Sequence, residues 1–376
     1  MPNQHALLSP SSSERWLHCP KSVRLSEQFE DTTSVYASEG TEAHALCEHL
    51  VLTALGRHST DPRSWFKQYS QEMQEAAEGY TAYIMETVAS LRQDGVEPSV
   101  FVEQRLDMRS YVKDCFGTSD CVIIGGDTIV ICDFKFGKLP VPATSAQLRI
   151  YALGACELFG NLYDFTRIRT VIYQPRLATI DEAEITRKEL YTWANDVLAP
   201  TAKLAYNDEG EFACGDWCRF CRARNHCRAL ADHQMELAQY DFKLPPTLDD
   251  NEIAEILSRV DDLVSWAGSI KEYALQAALK GVRFEGWKVV EGRSNRRYVN
   301  EEAVAERVTA SGKDPFEHKL LGITAMEKLL GKRAFAELLD GLVERPEGKP
   351  VLVPVSDKRP EMHTAKNDFA DNESED

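Results

Sequence analysis

The sequence predicts an α/β fold: a mixed central sheet flanked by helices, followed by a mainly helical C-terminal extension. Three observations predict it. Residues 117–138, GTSDCVIIGGDTIVICDFKFGK, hold two apolar β-type runs, Cys121–Ile124 and Ile129–Cys132, around a Gly125-Gly126-Asp127 turn signal, the mark of a β-hairpin. Alternating strand patterns at 99–108 and 165–174 are interleaved with helical apolar spacing, so the middle of the chain runs helix, strand, hairpin, helix, strand, helix. From about residue 235 the character changes to helical periodicity.

Taken in order, residues 8–29 begin with a Ser-rich cap and lead through Trp16, Leu17 and Cys19 to Pro20 and a short amphipathic piece. In 34–56, Thr41 is the expected N-cap, Ala43, Leu46, Leu50 and Ala54 form an apolar stripe, and Gly56 is a stop. His44 and Glu48 lie one turn apart on one face, which also suits a solvated or core histidine. Residues 69–94 carry Ala76, Tyr80, Tyr83, Ile84 and Val88 on the apolar side of a helix. In 144–160, Thr144 caps and Leu148, Tyr151, Ala152 and Ala155 pack, with Gln147 and Tyr151 on one face. The segment 189–206 is read as one helix with Trp193, Val197 and Leu204. A long helix follows over 246–280, then the strand-like and basic 284–300 with Arg293, Arg296 and Arg297, and two or three short helices over 301–345. The expected domains are a core over 1–235, a helical domain over 236–360 and an acidic tail over 361–376.

The hairpin carries the first candidate chemistry. With Gly126-Asp127 as a two-residue turn, Gly125 faces Thr128, and counting outward sets Asp120 opposite Asp133. Such side chains lie about 5 Å apart, and period two places Lys135 beside Asp133 with Phe134 pointing away. Two carboxylates that close repel unless positive charge sits between them. A hard divalent cation such as magnesium would serve, lowering the pKa of a bound water and neutralising charge on a phosphate. The alternative is a solvated hairpin end held by a salt bridge. A Gly125-Gly126 turn would slip the pairing by two residues.

The second candidate site is 211–230, EFACGDWCRFCRARNHCRAL, where Cys218-x2-Cys221-x5-Cys227 follows Cys214 among Arg219, Arg222, Arg224 and Arg228. Close thiolate spacing of this kind ligates metal. Zinc held by the four nearby cysteines and an iron–sulfur cluster held by three of them plus a distant cysteine both fit. The arginines suit phosphate contact or simply solvated charge.

Composition sets the outer limits. The chain has 376 residues, 43% apolar, enough for two or three domains. A net charge of −17 argues against a nonspecific nucleic-acid coat protein but leaves room for a local basic groove. No apolar run or leader pattern suggests membrane insertion or export, so a cytoplasmic location is expected.

The set GTEAH (40–44), GTSD (117–120), DFK (133–135) and QLRIY (147–151) resembles the PD-(D/E)xK nuclease superfamily, closest to its RecB-like branch with the CRISPR adaptation exonucleases. The resemblance implies a restriction-endonuclease-like core. It implies that His44, Asp120 and Asp133, with the backbone carbonyl of Phe134, bind Mg2+ or Mn2+, that Lys135 is catalytic, and that Gln147 and Tyr151 support the site and DNA. Glu48 and Glu103 occur near family-like positions. Iron–sulfur members use one cysteine before the core and C-x2-C-x5-C after it, which implies a 4Fe-4S cluster on Cys19, Cys218, Cys221 and Cys227, with Cys214 as the spare. The C-terminal GWKVVEGRSNRR and GKPVLVPVSDKRP resemble a phage and prophage family formerly called domain of unknown function 2800. The expected activity is a metal-dependent DNA exonuclease in phage replication or recombination, with linear DNA as substrate and a phage annealing or single-strand-binding protein as possible partner. Rival expectations are a catalytically silent DNA-binding module, a zinc-knuckle interaction protein, and an endonuclease or flap nuclease.

Overall fold

The computed structural model describes residues 6–29, 35–93, 95, 97–236, 249–291, 298–316, 320–344, 353 and 357. It divides into two compact units, 1–248 with 262–270, and 249–261 with 271–376. The first unit contains α1 (Ser13–His18), α2 (Ser22–Ser26), α3 (Val35–Ala54), α4 (Gln71–Gln93), β1 (Ser99–Asp107), β2 (Phe116–Gly125), β3 (Thr128–Phe134), α5 (Ala146–Phe159), β4 (Arg167–Gln174), β5 (Thr179–Thr186), α6 (Arg187–Trp193), α7 (Ala199–Tyr206) and α8 (Arg228–Met235).

The five strands form one mixed sheet in the order β1-β2-β3-β4-β5. Only β3 and β4 pair in parallel, and α5 supplies the crossover that a parallel pair requires. The hairpin takes the register counted from the sequence: Gly125 faces Thr128 and Cys121 faces Cys132, so the next residues outward are Asp120 and Asp133. Gly126 turns with φ +58°, where a Cβ would be strained. Every residue of β3 is buried, as befits the central strand.

Alternation along β2 and β3 feeds two cores. Val122, Ile124, Ile129 and Ile131 pack with Leu148, Ile150 and Leu153 of α5. Cys121, Ile123, Val130, Cys132 and Phe134 pack on the other face with Leu46 and Val51 of α3 and Tyr80 and Ile84 of α4. A one-residue slip of β3 would exchange these faces, so core packing fixes which way its terminal Asp133 points. Cys47, Cys121 and Cys132 are thereby accounted for as small buried residues.

Several expectations are corrected. α3 starts at Val35, so Thr41 lies within it rather than capping it; Ala54 is exposed, and Cys47 and Val51 join the buried stripe instead. Its stop is as expected, with Gly56 at φ +70° and Arg57 N–H donating to the Leu52 carbonyl. Ser145, not Thr144, is the N-cap residue of α5. The single helix expected over 189–206 is split by a π turn at Ala194–Leu198. The wider turn rotates the stripe onto Leu190, Ala194, Leu198, Ala202 and Ala205, leaving Val197 and Leu204 exposed. Strand β5 had no expectation: TIDEAEIT is an edge strand, mostly solvated, without the apolar alternation that marks a buried one.

The second unit holds most of α9 (Asp250–Leu279), started by an Asp249–Glu252 capping box, and the short helices α10 (Glu301–Ala310), α11 (Ile323–Leu330) and α12 (Lys332–Leu338). Residues 284–291 are irregular rather than strand-like. Arg293, Arg296 and Arg297 and the acidic tail 361–376 lie outside the described residues. Only Ala277 is buried among this unit's described residues. Among the described residues no helix is long and apolar enough to cross a membrane.

Candidate active site

The site lies at the end of the hairpin away from its turn, between the two helical faces. His44 comes from α3, Asp120 from β2, Asp133 from the end of β3 with Lys135 just beyond it, and Gln147 and Tyr151 from α5. The structure brings all six together. His44 Nδ1 lies 3.1 Å from Asp120 Oδ1. The Phe134 N–H donates to Asp120 Oδ2 at 2.6 Å. Lys135 Nζ is 2.8 Å from Asp133 Oδ2. Gln147 Nε2 donates to Asp133 Oδ1 at 3.3 Å and to the Tyr151 hydroxyl at 3.4 Å. The Phe134 ring points into the opposite core, edge-on to His44 with centroids 5.6 Å apart.

Glu103 completes the constellation. In register it stands opposite Asp120, between the pairs Val102–Cys121 and Gln104–Ser119, and it has φ +49°. A non-glycine residue held there stores on the order of 1 kcal/mol of strain, a cost that recurs at functional sites. Ligand atoms of His44, Glu103 and Asp120 all lie within 4.8 Å of one another. Asp133 is committed instead to Lys135 and Gln147. The arrangement thus gathers His44 and Asp120 with Glu103, where the resemblance had placed Asp133 as the third side chain.

Electrostatics follow from crowding acids in a buried space. Burial favours neutral His44, yet the carboxylate of Asp120, with Asp133 behind it, outweighs burial and raises the imidazole to about 9. Burial, then the charges of Asp120, Glu48 and Asp133, push Glu103 up to about 8 against the pull of His44. Asp133 is raised by burial and by Asp120, although Lys135 opposes this. Asp120 is held low against burial by His44, Lys135 and the Phe134 N–H. Lys135 is held charged, against burial, by Asp133 and Asp120. A cluster that retains protons under this repulsion is one that a divalent cation would discharge. An imidazole and two carboxylates form a donor set able to hold a divalent cation.

A second cluster is built from the chain's two flanks. Cys19, Cys214, Cys218, Cys221 and Cys227 all line one cavity, partly open to solvent. The N-terminal segment is tied to the cysteine loop by His18 stacked on Trp217, with centroids 4.2 Å apart, and by Ala213 N–H at 3.5 Å from Cys19 Sγ. Arg24 donates twice to the Tyr206 carbonyl at the end of α7. Burial and neighbouring thiols raise Cys218 and Cys227 and push Cys214 up to about 12. None of the ten cysteines is bridged. His226 is not part of the cavity lining and stacks on Phe29. Of the nearby arginines, Arg219, Arg222 and Arg228 are exposed, while Arg224 donates to Ser265.

Residues 5–360 match the family described as "Protein of unknown function (DUF2800)". The chain belongs to that family. One solved structure, titled "Crystal structure of SSO0001", matches at 15% identity over 58% of this chain and 96% of its own, with a TM-score of 0.22. A likeness that distant carries no argument about fold or chemistry.

Sequence reasoning gave Glu103 little weight and gave Arg15, which also lines the cysteine cavity, none. Glu103 had a signal, an acid interrupting the alternation of SVFVEQRLDM, but its left-handed backbone has none. Arg15 is an ordinary surface-type residue by sequence; only folding shows it half-buried at the cavity.

Proposed function

We propose that this protein is a divalent-metal-dependent deoxyribonuclease with a restriction-endonuclease-like core, acting as an exonuclease on linear DNA in phage-type replication or recombination. One observation carries the reading. Every motif element of the resemblance, from parts of the chain up to about 100 residues apart, meets at one sheet end, beside an acid and histidine triad with ligand atoms within 4.8 Å.

His44, Glu103 and Asp120 would hold the ion, and Asp133 adjoins them. When bound, Mg2+ or Mn2+ would supply a water of lowered pKa and neutralise charge on the phosphate. Lys135, kept charged and fixed by Asp133, would donate to a phosphate oxygen or to the attacking water. Gln147 holds Asp133 in place, and Tyr151 backs Gln147. Phe134 fixes Asp120 through its backbone N–H.

Cys19, Cys218, Cys221 and Cys227 would hold a 4Fe-4S cluster, with Cys214 as a fifth thiol. A single zinc with Zn–S of about 2.3 Å draws its sulfurs to within about 4 Å of each other, whereas no three cysteine sulfurs among the described residues share a 4.8 Å neighbourhood. The cluster would staple chain ends about 200 residues apart, a structural role. Nuclease activity is tested by incubating anaerobically purified protein with end-labelled linear DNA and Mn2+, using Lys135→Met as control. The cluster is tested by absorbance near 400 nm and by iron and sulfide analysis.

A further inference from the structure

Two arginines, Arg15 and Arg224, line the cysteine cavity, and Arg15 is one that neither the metal site nor the thiol set explains. Arg15 lies on α1, one turn before Cys19, and its backbone carbonyl accepts the Cys19 N–H at 2.8 Å. Its guanidinium lines the cavity with the five cysteines. Nη1 donates to the Ser22 carbonyl at 3.0 Å, to Ser22 Oγ at 2.9 Å and to Ser26 Oγ at 3.2 Å. Ser26 Oγ in turn lies 3.6 Å from Cys221 Sγ. These oxygens are neutral. Among the described residues that line the cavity there is no carboxylate.

Arg15 is half-buried, and a cation withdrawn from water is costly unless an anion answers it. With protonated thiols, the described residues that line the cavity include no such anion. Four metal-bound thiolates supply it, because a 4Fe-4S centre with four cysteine ligands is negative overall. Hydrogen bonding and nearby charge are the means by which a protein sets the potential of such a centre. We propose that the Arg15 guanidinium is the built-in counter-charge of the thiolate-bound group, relayed to Cys221 through Ser26, and that it sets the group's reduction potential and its rate of loss. This rests on the reading that Cys19, Cys218, Cys221 and Cys227 carry a 4Fe-4S cluster.

The test compares wild type, Arg15→Gln and Arg15→Lys, each purified without oxygen. Three readouts are taken: decay of absorbance near 400 nm under an iron chelator, the midpoint potential from a redox titration, and thermal unfolding of the loaded and chelator-stripped forms. Arg15→Gln should lose the cluster at least tenfold faster and should titrate at a lower potential, because the reduced centre carries one more negative charge. A tenfold change in the one-electron ratio corresponds to about 59 mV. Arg15→Lys should restore most of both. In stripped protein, Arg15→Gln should unfold no earlier than wild type, since no anion then answers the arginine. Unchanged potential and decay in Arg15→Gln, or equal destabilisation of its loaded and stripped forms, would overturn the counter-charge and leave the cluster standing. Wild type without iron, sulfide or 400 nm absorbance would overturn both.

Discussion

Replacing Asp120 by asparagine isolates the interaction that charges His44. The side chains are nearly isosteric, and the amide oxygen of the variant can still accept the Phe134 N–H, so the hairpin end should keep its shape. What disappears is the carboxylate 3.1 Å from His44 Nδ1. Burial is the largest single influence on His44, Asp120 opposes it both by its charge and by its hydrogen bond, and burial outweighs what Asp133 alone would supply, with Lys135 also favouring the neutral ring. Without Asp120 the imidazole should therefore fall from about 9 to 6.5 or below. At about 1.4 kcal/mol per tenfold change in proton affinity, the lost interaction is roughly 3 kcal/mol. A group raised in the folded state stabilises it fully below the unfolded pKa and loses that contribution as pH rises through the folded one. Wild type should thus lose stability between about pH 6.5 and 9, and Asp120→Asn should lack that slope. The assay is a pH titration of 15N-labelled imidazole in metal-free protein, with the His44 signal assigned through His44→Gln. A His44 signal in Asp120→Asn that still titrates near 9 would refute the assignment of Asp120 as the charge that dominates this site.

Three further outcomes are expected. Mn2+ affinity, measured by calorimetry, should rise steeply from pH 6 to 9, because the ion must displace protons from His44, held at about 9, and Glu103, held at about 8; proton release should approach two per ion below pH 8 and vanish above 9. Glu103→Gln should weaken Mn2+ binding tenfold or more with little loss of stability, since it removes a ligand from a backbone that is already strained; unchanged Mn2+ binding would remove Glu103 from the site. Lys135→Met should keep Mn2+ binding yet lose about 10²-fold or more in cleavage, and should also lower stability, because Asp133 would be left buried without its cation.

The hairpin was legible because its turn, its apolar alternation and its acidic ends are all local. One assumption about the turn gave the register, and with it the approach of Asp120 to Asp133. The helix faces of His44 and of Gln147 with Tyr151 followed from 3.6-residue spacing. What the sequence could not show depends on tertiary context. Thr41 has a cap-forming side chain, but α3 already runs from Val35 and passes through it. The π turn in 194–198 changes helical phase without any residue type that announces it. Edge strand β5 is polar because one side meets water. At the site, the pairing of Asp133 with Lys135 and of Asp120 with Glu103 and His44 depends on which carboxylate lies deeper and on the backbone at residue 103, and neither has a sequence signature. Arg15 is unreadable for the same reason: its place at the cavity arises only when the N-terminal segment meets residues 213–227, almost 200 positions away.

The central claim, that the acids, histidine and lysine at the sheet end cleave DNA, is tested most directly on end-labelled linear single- and double-stranded DNA beside closed circles. Anaerobically purified wild type, Lys135→Met and Asp120→Asn would each be assayed with and without Mn2+. The account predicts Mn2+-dependent loss of linear DNA by wild type alone, with circles spared. Cleavage that persists in both variants, or intact DNA throughout with Mn2+ bound to wild type, would contradict it.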